Sequence, residues 1–205
     1  MPESTDQRTA GYRRSAGSPR GQARRRELLE RVTEDLAANG LVDFSLRRAA
    51  RAAGTTHKVL LYHFAGADDL LTQAVLRLRA RRIEDALAAV AGQAGGSLAD
   101  RVRAVWPVLV GEASWVLDQA IGLAMYDHDR YGDLGREASE QYLPSLLSLC
   151  PRHWAEQRKR EVAELILAVL RGFLVDRRTR DDTADVPAGF AALARALDRE
   201  EAADR

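Results

Sequence analysis

Apolar side chains recur at helical spacing almost from one end of the chain to the other. From Arg24 the positions Leu28, Leu29, Val32 and Leu36 form one stripe, and Asn39-Gly40 supplies a stop. Ser45 is placed to cap a second short helix whose inner face is Leu46, Ala49, Ala50 and Ala53, small residues that let a following helix cross closely. Gly54 provides the turn, because it tolerates a backbone conformation that costs other residues more. Thr56 can cap a third helix with Leu60 and Phe64 facing inward, one turn apart. His57, Lys58, Leu61 and Tyr62 are left outside.

From Asp69 the series Leu70, Leu71, Ala74, Val75, Leu78 continues through Leu87 and Val90 and predicts a long helix that stops around Gly92 to Gly96. Arg77, Arg79, Arg81 and Arg82 on it read as solvated surface, with Arg77 and Arg81 as alternatives for a place near a duplex. Leu98 to Leu117 reads as helix interrupted or kinked at Pro107, which lacks an amide and clashes with the preceding turn. Ala120 to Arg130 carries a weaker helical signal, Asp127 to Gly135 a loop signal, and Glu137 to Leu149 a helix again. Pro151 suits a first helical turn, and the following helix runs to about Arg178. Asp181-Asp182-Thr183 ends it, and Pro187 to Leu197 forms a last helix. The expected fold is all-α, about nine helices: a three-helix head at residues 23–67 built as a helix-turn-helix, and a larger helical body at 68–205. Residues 1–22, rich in Ser, Thr, Gly, Pro and Arg, have nothing to bury and are expected to be a disordered basic tail, whose Arg8, Arg13, Arg14 and Arg20 could reach a DNA backbone or minor groove.

The overall net charge of +1 says little, but its distribution does. Residues 1–66 hold eleven Arg and one Lys against seven acids, a net of +5, leaving −4 for the remainder. The basic segment is the one with the helix-turn-helix pattern, so charge and motif agree on a duplex as partner. His57 and Lys58 are candidates for base edges, Thr55 and Thr56 for a hydroxyl or methyl contact, and Leu61 for a thymine methyl. Ser45, Arg47, Tyr62 and His63 are candidates for phosphates, with surface packing as the alternative for His63.

Residues 24–71 resemble the DNA-binding domain of the tetracycline-repressor family. The features that carry the resemblance are Ala50 to Gly54, the segment Leu60-Leu61-Tyr62-His63-Phe64, and Asp68-Asp69-Leu70-Leu71 at the start of the fourth helix. Leu61 stands where the family usually has a phosphate-binding Tyr, and Ala67 where it usually has Lys. Lys58 stands where a small residue is common. The resemblance implies a homodimeric regulator, most often a repressor, with an effector site among the helices after Asp69 and a final helix pair that meets its copy as a four-helix bundle.

The body's own residues are compatible with both. Trp106, Trp115, Met125, Tyr126, Tyr142 and Phe173 are candidates for lining a mostly apolar ligand site, with ordinary core packing as the alternative for each. Val162, Leu165, Ile166, Val169, Phe173, Phe190, Leu193 and Leu197 offer more apolar surface than one partner needs and are the expected dimer interface, a monomer core being the alternative. No cofactor or metal is expected: His57 and His63 do not share a helical face, His128 is a single imidazole between Asp127 and Asp129, and no phosphate cradle or nucleophile elbow is present. The chain is therefore not expected to be an enzyme. Cys150 is the sole cysteine, so no intrachain disulfide is possible; near a helix start it could be activated, or serve as a small buried hydrophobe. With no long apolar run and no apolar leader, the expected place is the cytoplasm, away from membranes. Two functions of different class follow: a ligand-responsive regulator reading a palindromic operator, as repressor or activator, or a helical ligand-binding or protein-interaction dimer whose head binds DNA weakly and without sequence preference.

Overall fold

A computed structural model describes residues 18–92, 95–111, 114–180 and 188–203, and among these the chain is all-α with nine helices. It divides into two compact units, the first ending at Leu78 and the second beginning at Arg79.

In the first unit, α1 spans Pro19–Asn39, α2 Leu46–Ala52, α3 His57–His63, and the opening turns of α4 (Ala67–Ala91) complete it. The start of α1 corrects the boundary of the expected tail, since Pro19 to Gln22 are helical. Ser18 accepts a hydrogen bond from the amide of Gly21 at 3.1 Å, and Pro19 fills the first helical position, where a missing amide costs nothing. The rest of the tail, residues 1–17 with Arg8, Arg13 and Arg14, lies outside the described residues. Leu28, Val32 and Leu36 are fully buried, as are Ala49, Ala53 and Leu60. Each large aliphatic side chain so buried contributes about 1.5–3 kcal/mol. That packing is needed because α2 and α3, seven residues each, are too short to persist alone.

Caps and turns then fix where the short helices point. The Ser45 hydroxyl accepts from the Arg48 amide at 3.3 Å and the Thr56 hydroxyl from the Val59 amide at 3.4 Å. Gly54, at φ +60°, makes the turn between α2 and α3 in a region that favours glycine. Arg31 reaches across from α1 to donate to the carbonyl of Ala53 at 3.1 Å, and Arg48 donates to Asp35 at 2.7 Å, so α2 is tied to α1 at both ends.

The second unit comprises the remainder of α4 with α5 (Leu98–Val110), α6 (Trp115–Tyr126), α7 (His128–Leu149), α8 (Glu156–Thr179) and α9 (Ala188–Ala202). A capping box between Ser97 and Asp100 starts α5. The main pairings are α6 with α7, α7 with α8, and α5 with α9. The core includes Trp106, whose ring meets Phe173 and Phe190 edge-on at 6.1 and 5.8 Å.

Three expected boundaries differ. Helix α5 passes through Pro107 and ends at Val110, because a proline within the last turn removes one hydrogen bond near an end where the ladder is already running out. The expected loop from Asp127 to Gly135 is the start of α7: Asp127 caps it by accepting from the Arg130 amide at 3.2 Å, and Leu134 is buried. A Cβ on Gly135 would lie 3.4 Å from that of Ala124, so this glycine serves helix contact and not a turn. Pro151 does not begin α8; residues 151–155 form a turn and the helix starts at Glu156. The expected stop at Asp181-Asp182-Thr183 lies outside the described residues.

Candidate nucleic-acid interface and body cavity

Helix α3 uses its inner face for Leu60 and leaves His57, Lys58 and Leu61 exposed. Positions 57, 58 and 61 share one side of a helix by their spacing. Thr56 is exposed at its cap, and Thr55 and Tyr62 are half-buried beside it. Ser45 and Arg47 are exposed at the start of α2, so these eight of the nine predicted DNA contacts surround two adjacent short helices. Arg51 is exposed one turn after Arg47 and was missed by the sequence reading; the four-residue spacing is the signal that could have found it.

His63 is placed differently. Its carbonyl accepts from Arg25 Nε at 3.1 Å, and Tyr62 stands edge-on to its ring at 4.7 Å. Burial first, then the charges of Arg25 and Arg24, push its imidazole below the usual 6.5. A neutral, half-buried imidazole is a weak ligand for phosphate, so the packing alternative fits His63 better. Arg25 in turn lies 4.9 Å over the Phe64 ring and hydrogen-bonds Gln73, joining α1 to both ends of the α3–α4 turn.

The second unit encloses a cavity between α4, α5, α6, α7 and α8. Water centres can occupy about 80 Å³ of it, several times what one water needs. Its walls are mainly aliphatic, among them Ile83, Leu109, Leu117, Ile121, Leu146 and Leu170. Of the six residues predicted to line a ligand site, Tyr142 is in the wall of this cavity. Trp106 and Phe173 pack against Phe190 in the core, Trp115 is half-buried away from the cavity lining, and Met125 and Tyr126 are 81% and 90% exposed at the end of α6. Residue type alone does not fix which way an aromatic faces.

Arg79, Arg82 and Arg171 were not expected in the cavity, yet all three line it. Arg79 is 1% and Arg82 7% exposed, which corrects their reading as solvated surface. Arg79 Nη2 donates to the Leu134 carbonyl at 2.5 Å; Arg82 donates to the Leu109 carbonyl at 2.7 Å and to the Tyr142 hydroxyl at 3.3 Å; Arg171 donates to the Ser139 hydroxyl at 3.2 Å. Burial lowers the guanidinium pKa of Arg79 and of Arg171, with Tyr142 opposing the shift in both and Glu137 also opposing it at Arg79. The sequence did hold a signal: Leu71, Val75, Arg79, Arg82 and Ala86 follow one another at intervals of three and four on a single inward stripe.

Cys150 is buried, its thiol 3.6 Å from the Leu146 carbonyl and pushed above its ordinary 9.0 chiefly by burial. The hydrophobe reading fits it. Asp127 and His128 of the acidic cluster are occupied by the start of α7, Asp127 as its cap and His128 packed where a Cβ on Gly132 would meet its ring at 2.8 Å.

Val162, Ile166, Phe190, Leu193 and Leu197 of the expected dimer interface are at most 6% exposed within the single chain, which corrects their assignment as residues open to a partner. Phe173 and Val169 are half-buried against the same core. Leu165 is 47% and Val175 58% exposed, and with Ala168 and Gly172 between them they leave a small-residue apolar strip on the outside of α8.

No protein-family model matches the chain, and no curated protein matches its sequence. Solved structures do. A protein from Streptomyces coelicolor, described provisionally as a transcriptional regulator, is 22% identical with a TM-score of 0.60, over 86% of this chain and 96% of that one. The multidrug binding protein EbrR, complexed with imidazole, gives a TM-score of 0.63 at 18% identity, over 86% and 93% of the two chains. A Rhodococcus protein provisionally assigned to the TetR family gives 0.56 at 18%, over 85% and 96%. At these identities the likeness is one of fold.

Proposed function

We propose that this chain, which has the tetracycline-repressor-like fold, is a ligand-responsive DNA-binding regulator. The observation that carries the reading is the exposed face of α3, Thr56, His57, Lys58 and Leu61, set on a buried helix pair in the basic part of the chain. In a major groove Lys58 would donate to guanine and His57 to a base acceptor, while Arg47, Arg51 and Ser45 would hold phosphates. One head makes few contacts, so the active form would be a homodimer reading a palindrome. The strip Leu165, Ala168, Gly172 and Val175 is the surface we assign to that dimer; a Cβ on Gly172 would meet nothing within 4 Å, leaving room for a second helix.

The cavity would hold the effector. A ligand there touches α4 at Arg79, Arg82, Ile83, Ala86 and Leu87, and the first turns of the same helix, Leu70 to Leu78, belong to the core of the head. A change along α4 is therefore the route by which binding would alter operator affinity, and the two affinities must be reciprocally coupled. Repression follows if the operator overlaps a promoter, with the cytoplasm as the place of action.

Selection of bound duplexes from a random library by the purified chain, then titration of the best site against a scramble at fixed salt, tests this. Recovery of a palindrome bound at least about a hundredfold more tightly than the scramble is expected for a specific regulator. Uniform, steeply salt-dependent binding by a folded dimer would overturn it in favour of a body-centred role.

A further inference from the structure

We infer that the body cavity takes an amphipathic anion: a planar carboxylate or like oxyanion held by Arg79, Arg82 and Arg171, with an aliphatic or aromatic remainder against the leucine-rich walls. The inference rests on the reading of this cavity as the effector site and adds the charge class of the ligand. Three guanidiniums line one pocket whose walls are otherwise mainly aliphatic, and two of them are more than nine-tenths buried. Each keeps an unused donor: Arg79 Nη1, Arg82 Nε and Arg171 Nη2 are buried without a hydrogen-bond partner. Among the described residues none of the three forms an ion pair with a carboxylate.

The candidate counter-ions nearby do not remove the excess. Asp118 lines the cavity, but Arg178 holds it at 3.0 Å. Glu137 attracts Arg79 without forming an ion pair with it. All three guanidiniums line the same cavity, and Arg82 and Arg171 both act on Arg79 as repelling charges. Planar guanidiniums match carboxylate geometry with paired donors, and a buried cation left unpaired is costly, so an oxyanion satisfies both needs. A neutral acceptor could take the spare donors but would leave the buried positive charge unbalanced, and a cationic ligand would add repulsion.

The test is calorimetric titration of the full-length protein with octanoate, octanamide and octylamine, which share one tail and differ in head charge. Octanoate is expected to bind at least about tenfold more tightly than octanamide, and octylamine least; tenfold corresponds to about 1.4 kcal/mol. Arg79→Met and, independently, the half-buried Arg171→Met should each bring octanoate and octanamide within about threefold of one another, with circular dichroism confirming the fold. Equal binding of acid and amide, preference for the amine, or octanoate binding untouched by both substitutions would overturn the anion inference while leaving a ligand cavity in place. No binding of any of the three to the folded protein would overturn the effector-site reading together with it.

Discussion

Replacing Arg79 by Met should make the ligand-free protein more stable. The side chain is 1% exposed, and its charge is held by one hydrogen bond to the Leu134 carbonyl, with Nη1 unpartnered. That carbonyl lies inside α7 and keeps the amide four residues on, so losing the arginine does not orphan it. A charge-assisted hydrogen bond of this kind contributes about 1.5–3 kcal/mol, whereas an ion taken from water into a protein interior costs several kcal/mol even after relaxation. Methionine is unbranched and fills a similar stem volume. Glu137 loses the attraction of Arg79, which trims the gain. The balance is a stabilisation of about 1–2 kcal/mol, at the low end of what replacing buried ions by apolar residues yields. With a urea slope of about 2 kcal/mol/M, the midpoint should rise by roughly 0.5–1 M at unchanged slope. Wild type and variant are compared by circular dichroism at one protomer concentration, because the stability of the proposed dimer would depend on it. Arg77→Met is the control: Arg77 is about half exposed and 3.6 Å from Glu30, so its loss should move stability by less than about 1 kcal/mol. A lower midpoint for Arg79→Met, with Arg77→Met unchanged, would refute the reasoning and make Arg79 a structural support.

Gly54→Ala forces a side chain into φ +60° and brings its Cβ within 3.3 Å of Arg31 Nη1, so urea denaturation should show a loss of about 1–2 kcal/mol, seen as faster amide exchange in α2 and α3. Lys58→Ala should weaken the selected operator by about 1–3 kcal/mol and relax the base preference at one position, whereas Arg47→Ala should weaken all duplexes alike and reduce the salt slope by about 1, both read by fluorescence anisotropy. His63 has a folded pKa below 6.5, so the stability it confers is full above that value and is lost as pH falls through the lower folded value. His63→Gln should flatten the acid side of a stability–pH curve below pH 6.5, and an unchanged curve would show that another group titrates there.

The head was legible because its signals are local. Ser45, Thr56 and Gly54 each determine the backbone within one turn of themselves, and each does in the structure what its chemistry requires. The body was less so, because tertiary contact decided there. Gly132 and Gly135 read as loop formers until the approach of α6 to α7 gives Gly135 a packing reason to sit in a helix. Most of the candidate aromatic residues lie away from the cavity, since Trp106 and Phe173 are committed to Phe190, and Tyr126 to solvent. Periodicity places Arg79 and Arg82 on the buried stripe of α4, but arginine is so rarely buried that residue type points to solvent. Interface residues suffered the opposite error, since five of the eight satisfy the chain's own core.

The lone thiol of Cys150, shielded and protonated at neutral pH, makes the natural chain nearly silent to maleimide chemistry. Leu61→Cys on α3 or Tyr126→Cys at the end of α6 would each introduce one accessible sulfur against that quiet background, both positions being open to solvent. Spin or fluorophore pairs attached there would report the separation of two copies in the proposed dimer, with and without the proposed ligand, and no native cysteine would first have to be removed from the core.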